Sequence, residues 1–244
     1  MNTKIFNLIT KNLNQAFNLP KYAHISITKD TEIDKLPWTP ARKIKFRENV
    51  LGPLELDSDF IGTLESIVND LDTQYSHWFF SEVWKPQTDI YTFTGWDLVN
   101  EINSLNPNAV LDVGCGYNQF KGKIQNLTGI DPYNSHSDYQ VDILEYASVP
   151  ESYDVIMALG SINFNSKEDV DKRFASCVKL LKPNGKMFFR VNPGIQHDKG
   201  PWVDVFKWSF EVAYEFASKY RLHLETFKKD RNDRLYFVYS KSSN

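Results

Sequence analysis

Residues 110–118 read Val-Leu-Asp-Val-Gly-Cys-Gly-Tyr-Asn, a short apolar run that ends in an acid and then in two glycines one residue apart. The run has the length and β-branched content of a buried strand. Glycine at 114 and 116 keeps positive φ available where the chain turns off a sheet, and removes two Cβ atoms that would keep a ligand away from the backbone. The next apolar run, Leu127-Thr128-Gly129-Ile130-Asp131, ends in a second acid nineteen positions after Asp112. That is the spacing at which a carboxylate on the neighbouring strand reaches ribose hydroxyls. The pair of signals predicts an open α/β sheet whose first turn holds a nucleoside-bearing ligand.

The rest of the C-terminal half agrees with this. Short apolar runs alternate with polar or helical segments, as a parallel sheet covered by helices requires. Strands are expected near 109–113, 127–131, 139–142, 153–159 and 185–191. A helix from Ser166 to Leu181 carries Val170, Phe174, Cys177, Val178 and Leu181 on one face and has an acidic first turn, and Pro183-Asn184-Gly185 stops it. An aromatic-rich helix covers roughly 204–220. The runs Leu222–Phe227 and Leu235–Ser240 flank a turn-like segment and read as an antiparallel hairpin. The fold class is therefore α/β, a doubly wound, mostly parallel sheet with an antiparallel C-terminal hairpin.

Residues 1–94 read as a mostly helical cap or substrate region, and 95–244 as the ligand-binding domain. Apolar residues at helical spacing predict an amphipathic docking helix over 5–17 and another over 60–71, and a third helix runs from about Trp96 to Leu105. Between the last two lies an aromatic stretch that includes Tyr75, Trp78, Phe79, Phe80, Trp84, Tyr91 and Phe93. It serves either as the wall of a substrate cavity or as apolar glue between cap and core.

Composition closes off several classes. The 244 residues carry 28 basic and 31 acidic side chains, a formal net charge of −3, so no overall positive field attracts nucleic acid or anionic membrane. The segment Arg42-Lys43-Ile44-Lys45-Phe46-Arg47 is open to two readings, a phosphate-backbone contact or an exposed strand edge with solvated charges. No apolar window is long enough to span a membrane, and the N-terminus lacks the pattern of a signal peptide. Cys115 and Cys177 are too few for a disulfide scaffold and have no metal-ligand spacing, which fits a reducing, cytoplasmic setting.

A nicotinamide dinucleotide asks for a third glycine where this chain has Gln119. Pyrophosphate would also sit poorly beside Asp112, whereas a ligand with an ammonium group favours that carboxylate. An adenosine with a positive tail fits better. With those residues in view, the chain resembles the class I S-adenosylmethionine (SAM)-dependent methyltransferases over about residues 95–244. The likeness lies in Val110–Gly116, Asp131, Val141-Asp142-Ile143, Tyr153–Gly160 and the turn Leu180–Gly185, in that order. Its Asn- and Lys-rich composition also resembles small phage-type orphan members of that family.

The resemblance implies a Rossmann-like sheet of seven strands and SAM as cofactor. Gly114 and Gly116 would pass under the methionine part, Asp112 would orient its ammonium end, Asp131 would bind the ribose, and Asp142 would accept from the adenine amino group. Asn118, Ile143, Leu159 and Gly160 complete the implied cofactor-binding set. Asn118 replaces a glycine common in the family, and Asn is the non-glycine residue that best tolerates left-handed backbone.

Methyl transfer from a sulfonium is an in-line displacement that needs alignment more than a dedicated catalytic motif. Where a base helps, candidates follow the fourth and fifth family strands: Asn163 after one, Arg190 and His197 after the other. Arg190 lies in an apolar strand, where it either pairs with a carboxylate or clamps an acidic group of the substrate. The chain after Leu159 lacks the Asn/Asp-Pro-Pro-aromatic turn of DNA amino-methylating enzymes, and neither cysteine is placed as a cytosine-C5 nucleophile. A small-molecule methyl acceptor is thus favoured over nucleic acid or protein, with the acceptor unidentified and the oligomeric state open. The alternative from a different class is a catalytically silent SAM-binding or assembly module.

Overall fold

The computed structural model of the protein describes residues 80–81, 96–194, 205–230 and 233–243. The expected helices over 5–17 and 60–71, the basic segment 42–47, most of the aromatic stretch and His197 lie outside the described residues. Among those described, the elements in chain order are α1 (Trp96–Ser104), β1 (Val110–Val113), β2 (Leu127–Ile130), β3 (Tyr153–Leu159), α2 (Lys167–Leu180), β4 (Leu181–Val191), α3 (Phe210–Lys219), β5 (Leu222–Lys229) and β6 (Leu235–Lys241).

The strands form one sheet in the order β2-β1-β3-β4-β6-β5. β2, β1, β3 and β4 run parallel, and β6 lies antiparallel between β4 and β5, as the predicted hairpin requires. After β2 the chain crosses to the other side of β1 to form β3. The strand order reverses there, and the carboxyl ends of the strands at such a reversal are where open α/β sheets bind ligands.

Both faces of the sheet are buried, which explains the near-continuous apolar runs. Alternate residues serve opposite faces. Val110, Val155, Met157, Phe188 and Val238 pack with Leu98 and Ile102 of α1. Leu111, Ile156, Ala158, Phe189 and Phe237 pack on the other side with Phe174 of α2 and Phe216 of α3. That second layer is unusually aromatic: Phe189 stacks on Phe237 with centroids 5.4 Å apart, Phe174 stacks on Phe216 at 4.9 Å, and Trp208 lies within 5.4 Å of Phe237. Offset aromatic pairs of this kind add to area burial.

Seven strands are expected, and six are found among the described residues. The one that does not form is 139–142, which meets β2 only through a single parallel bridge between Ile130 and Tyr139. The cause lies at the outer edge of β2. The Gly129 N–H donates to the Asp138 carboxylate at 2.7 Å, and the Gly129 carbonyl accepts from the Asp138 N–H at 2.8 Å. Lys121 Nζ donates to the Leu127 carbonyl at 2.6 Å and to the same Asp138 carboxylate at 2.8 Å. With those backbone groups satisfied, a further ladder finds no partners there.

α2 opens on a capping box, with Ser166 and Asp169 each accepting from the other's backbone. It ends at Leu180, one residue earlier than expected. Leu181 turns extended and pairs at once with Tyr153, and the register resumes only at Val155 with Lys186. Pro183-Asn184-Gly185, with Asn184 at φ +62°, therefore shapes an irregularity inside β4 and does not end the helix. α3 begins at Phe210 under a Ser209 cap, later than the expected 204; Trp208, just ahead of it, donates its indole N–H to the Ile162 carbonyl at 3.0 Å. No helix among the described residues is long and apolar enough to cross a membrane.

Candidate functional site

The turn after β1 is hitched to the end of β2. The N–H groups of Gly114 and Cys115 both donate to the Ile130 carbonyl, at 2.8 and 3.0 Å, and the Gly116 N–H donates to Asp131 Oδ2 at 3.0 Å. Gly114, Gly116 and Asn118 take φ of +69°, +54° and +53°. The first two are the left-handed positions that glycine supplies without strain, and Asn118 is the non-glycine case anticipated above. A Cβ on Gly114 would overlap the Cβ of Ser161, whose hydroxyl donates to the Val113 carbonyl. The space that this glycine clears is thus filled by the residue that follows β3 and Gly160. Gly160 takes φ +102°, and a Cβ there would meet nothing within 4 Å.

Three acids gather beside this turn. Asp112 is 3% exposed, and burial, followed by the charge of Asp131, pushes its carboxyl up to about 7. Asp131 is 8% exposed and raised by the same loss of solvent, against which its amide donors act. Its Oδ2 accepts from Gly116, and its Oδ1 accepts from Tyr133 and Asn134 at 2.8 and 2.9 Å. A solvated loop carboxylate is excluded for both residues. Asp142 also raises Asp131 electrostatically. Its Oδ1 accepts from the Leu144 N–H at 2.9 Å, and its Oδ2 from Arg173 Nε and Nη2 at 3.2 and 3.0 Å. Ile143 and Leu159 are buried at 4% and 8% exposure. Asp142 has a cation of its own in Arg173, whereas the buried Asp112 and Asp131 suit a ligand that brings positive charge.

Of the catalytic candidates, Arg190 and Asn163 are engaged in contacts within the protein, and His197 lies outside the described residues. Arg190 Nε donates to Asp230 Oδ2 at 2.7 Å, with both side chains mostly buried, so the first of its two readings describes the structure. Asn163 is buried, and its Oδ1 accepts from the Asn192 N–H at 2.8 Å while its carbonyl accepts from Phe206. It ties the loops after β3 and β4 to each other and reads as a positioning group. His136, beside Tyr117, makes a 2.8 Å contact from Nδ1 to Asn134 Oδ1. Phe80, from the aromatic stretch, stacks on Tyr133 at 5.2 Å and leans on Phe164 at 5.3 Å. It thereby bridges the segments that follow β2 and β3.

Several residues at this edge escaped the sequence reading. Arg173 is one, because nothing in its helix marks a partner 31 positions away. Gly129 is another: a Cβ there would come within 2.5 Å of Asn118 Oδ1 and 2.9 Å of Cys115 Sγ. A glycine inside a strand is a signal of close approach that the sequence does offer.

No family model matches the chain, and no curated protein matches it by sequence. Its fold has clear counterparts among solved structures. The PH0226 protein from Pyrococcus horikoshii OT3 is 14% identical over 68% of this chain and 96% of its own, with a TM-score of 0.53. The 1,6-didemethyltoxoflavin-N1-methyltransferase of Burkholderia thailandensis, solved with 1,6-didemethyltoxoflavin and S-adenosylhomocysteine, is 13% identical over 77% of this chain and 92% of its own, with a TM-score of 0.52. At this level of identity the likeness is one of fold, and the chain has the fold of the class I SAM-dependent methyltransferases.

Proposed function

We propose that the protein binds SAM at the carboxyl ends of β1 and β2 and transfers its methyl group to a small-molecule acceptor. The observation that carries this reading is the left-handed turn at Gly114 and Gly116, flanked by buried Asp112 and Asp131 at the point where strand order reverses. Asp112 would face the ammonium end, where a cation offsets the burial of its charge. Asp131 has acceptor capacity left beyond its three amides and would take ribose hydroxyls. Asn118, Ile143, Leu159 and Gly160 would complete the surround. When bound, SAM supplies the electrophilic methyl group; the chain's own task is to orient it, exclude water and align the acceptor. The methyltransferase named above, with its small-molecule substrate, supports an acceptor of that class.

One observation favours the second reading, a silent SAM-binding module: Arg190 and Asn163 are both engaged in structural contacts. Titration calorimetry of the full chain with SAM and S-adenosylhomocysteine, followed by methyl-transfer assays over a panel of small acceptors, decides between them. Binding with turnover supports the enzyme, binding without turnover the module, and no binding of either compound overturns both.

A further inference from the structure

Asp142 is held more firmly than an ordinary loop acid. Two donors of one guanidinium fill Oδ2, and the Leu144 amide takes one site on Oδ1. A carboxylate offers about four acceptor sites, so a single one, on Oδ1, is left. Arg173 reaches this acid from the first half of α2 and contacts the Asp169 carbonyl with its Nη1 at 3.5 Å; Asp169 is fixed in turn by the capping box with Ser166. The remaining acceptor direction is thus set by a helix of the core and not by the loop that bears Asp142. The segment that leads into Asp142 returns beside the end of β2, where the Asp131 N–H donates to the Tyr139 carbonyl at 3.2 Å and Ile130 bridges to Tyr139.

We infer that Arg173 is a positioning residue that fixes Asp142 to select a 6-amino purine over a 6-oxo purine in the proposed cofactor site. The inference rests on the reading that an adenosyl group lies along Asp112, Asp131 and Asp142. An acceptor held in one direction pairs with the exocyclic amine of adenine and repels the carbonyl oxygen of hypoxanthine. Released from Arg173, the carboxylate can rotate and meet either base with another geometry or through water. Lysine keeps the charge but offers no planar fork, so it holds Oδ2 less well.

The test is calorimetric affinity of the full chain for S-adenosylhomocysteine and for its deaminated counterpart, S-inosylhomocysteine, with thermal melting of each variant alongside. For a charged hydrogen bond, the unaltered chain is expected to prefer the adenine compound by about 30-fold or more. In Asp142→Ala the ratio falls to near one. In Arg173→Ala it falls to within about threefold, and in Arg173→Lys it lies between, by the same reasoning. A merely structural role for Arg173 weakens both ligands together and leaves the ratio as it was, which overturns the inference while the cofactor reading stands. Binding of both compounds without preference by the unaltered chain has the same meaning. Failure to bind S-adenosylhomocysteine at all removes the cofactor reading and the inference with it. Should Arg173→Ala not fold, Arg173→Lys decides the matter on the same ratio.

Discussion

Ser161 occupies the volume in which a side chain on Gly114 would lie, and its hydroxyl is bonded to the Val113 carbonyl one residue earlier. The glycine turn is therefore locked by the chain that leaves β3, before any ligand is considered. Gly114→Ala adds a left-handed alanine to an overlap with Ser161 and is expected to lower stability by about 2–4 kcal/mol. Ser161→Gly in the same chain relieves the overlap but not the φ, so the double variant should recover part of the loss. Urea denaturation of both single variants and the double variant gives the coupling directly; strict additivity would mean that the two residues do not compete for that space.

Asp112 makes stability fall as pH rises. The unfolded chain releases this proton near the ordinary aspartate value of 3.8, while the folded chain keeps it until about 7. Between those values the folded state binds more protons, so unfolding becomes easier with increasing pH and levels off above about 7. Asp112→Asn removes that slope. Denaturation at pH 5 and pH 8 should show the variant losing less stability across the window than the unaltered chain.

The same carboxyl reports on the ligand. An ammonium group beside Asp112 lowers its pKa, so SAM binding near pH 6 should release up to about one proton per site. Calorimetry in two buffers of different ionisation enthalpy measures the release. Asp112→Asn should bind with almost none; an unchanged release would place the ammonium elsewhere.

Arg190 and Asp230 form a mostly buried pair at 2.7 Å. Removing either side chain breaks this ion pair, although Asp230 still accepts from the Arg234 N–H, so Arg190→Met or Asp230→Leu alone should each cost about 3 kcal/mol, whereas the double variant should cost less than the two together. If Arg190→Met instead leaves stability intact and abolishes methyl transfer, its role is with the substrate.

Local and periodic features were legible in the sequence. The apolar runs at β1, β2 and β3, the C-terminal hairpin and the left-handed turn at Gly114 follow from residue types that admit few other conformations. The missing strand at 139–142 was not legible, because the edge of β2 is satisfied by the carboxylate and backbone of Asp138 and the amine of Lys121, an arrangement that apolar patterning does not encode. Within the site, the acids at 112 and 131 stand out by spacing. The pairs that fix the site join residues far apart in the chain: Arg173 with Asp142, Arg190 with Asp230, Asn163 with Asn192. Each depends on how elements are docked, and a polar side chain carries no local mark of its distant partner. Asp131 shows the limit from the other side, since its spacing suggests a ligand acid while its three amide bonds give it a structural task as well.

The hydrogen-bonded cap that Asp138 and Lys121 place on β2 also bears on self-association. An incoming extended chain would find the donors and acceptors of that margin already engaged and a charged pair in its way, so polymer growth by strand addition is blocked on this side of the molecule. Replacing the Asp138 side chain would free the Gly129 N–H and release Lys121 from its carboxylate, so this margin would lose part of its protection while the backbone bonds to Gly129 remain.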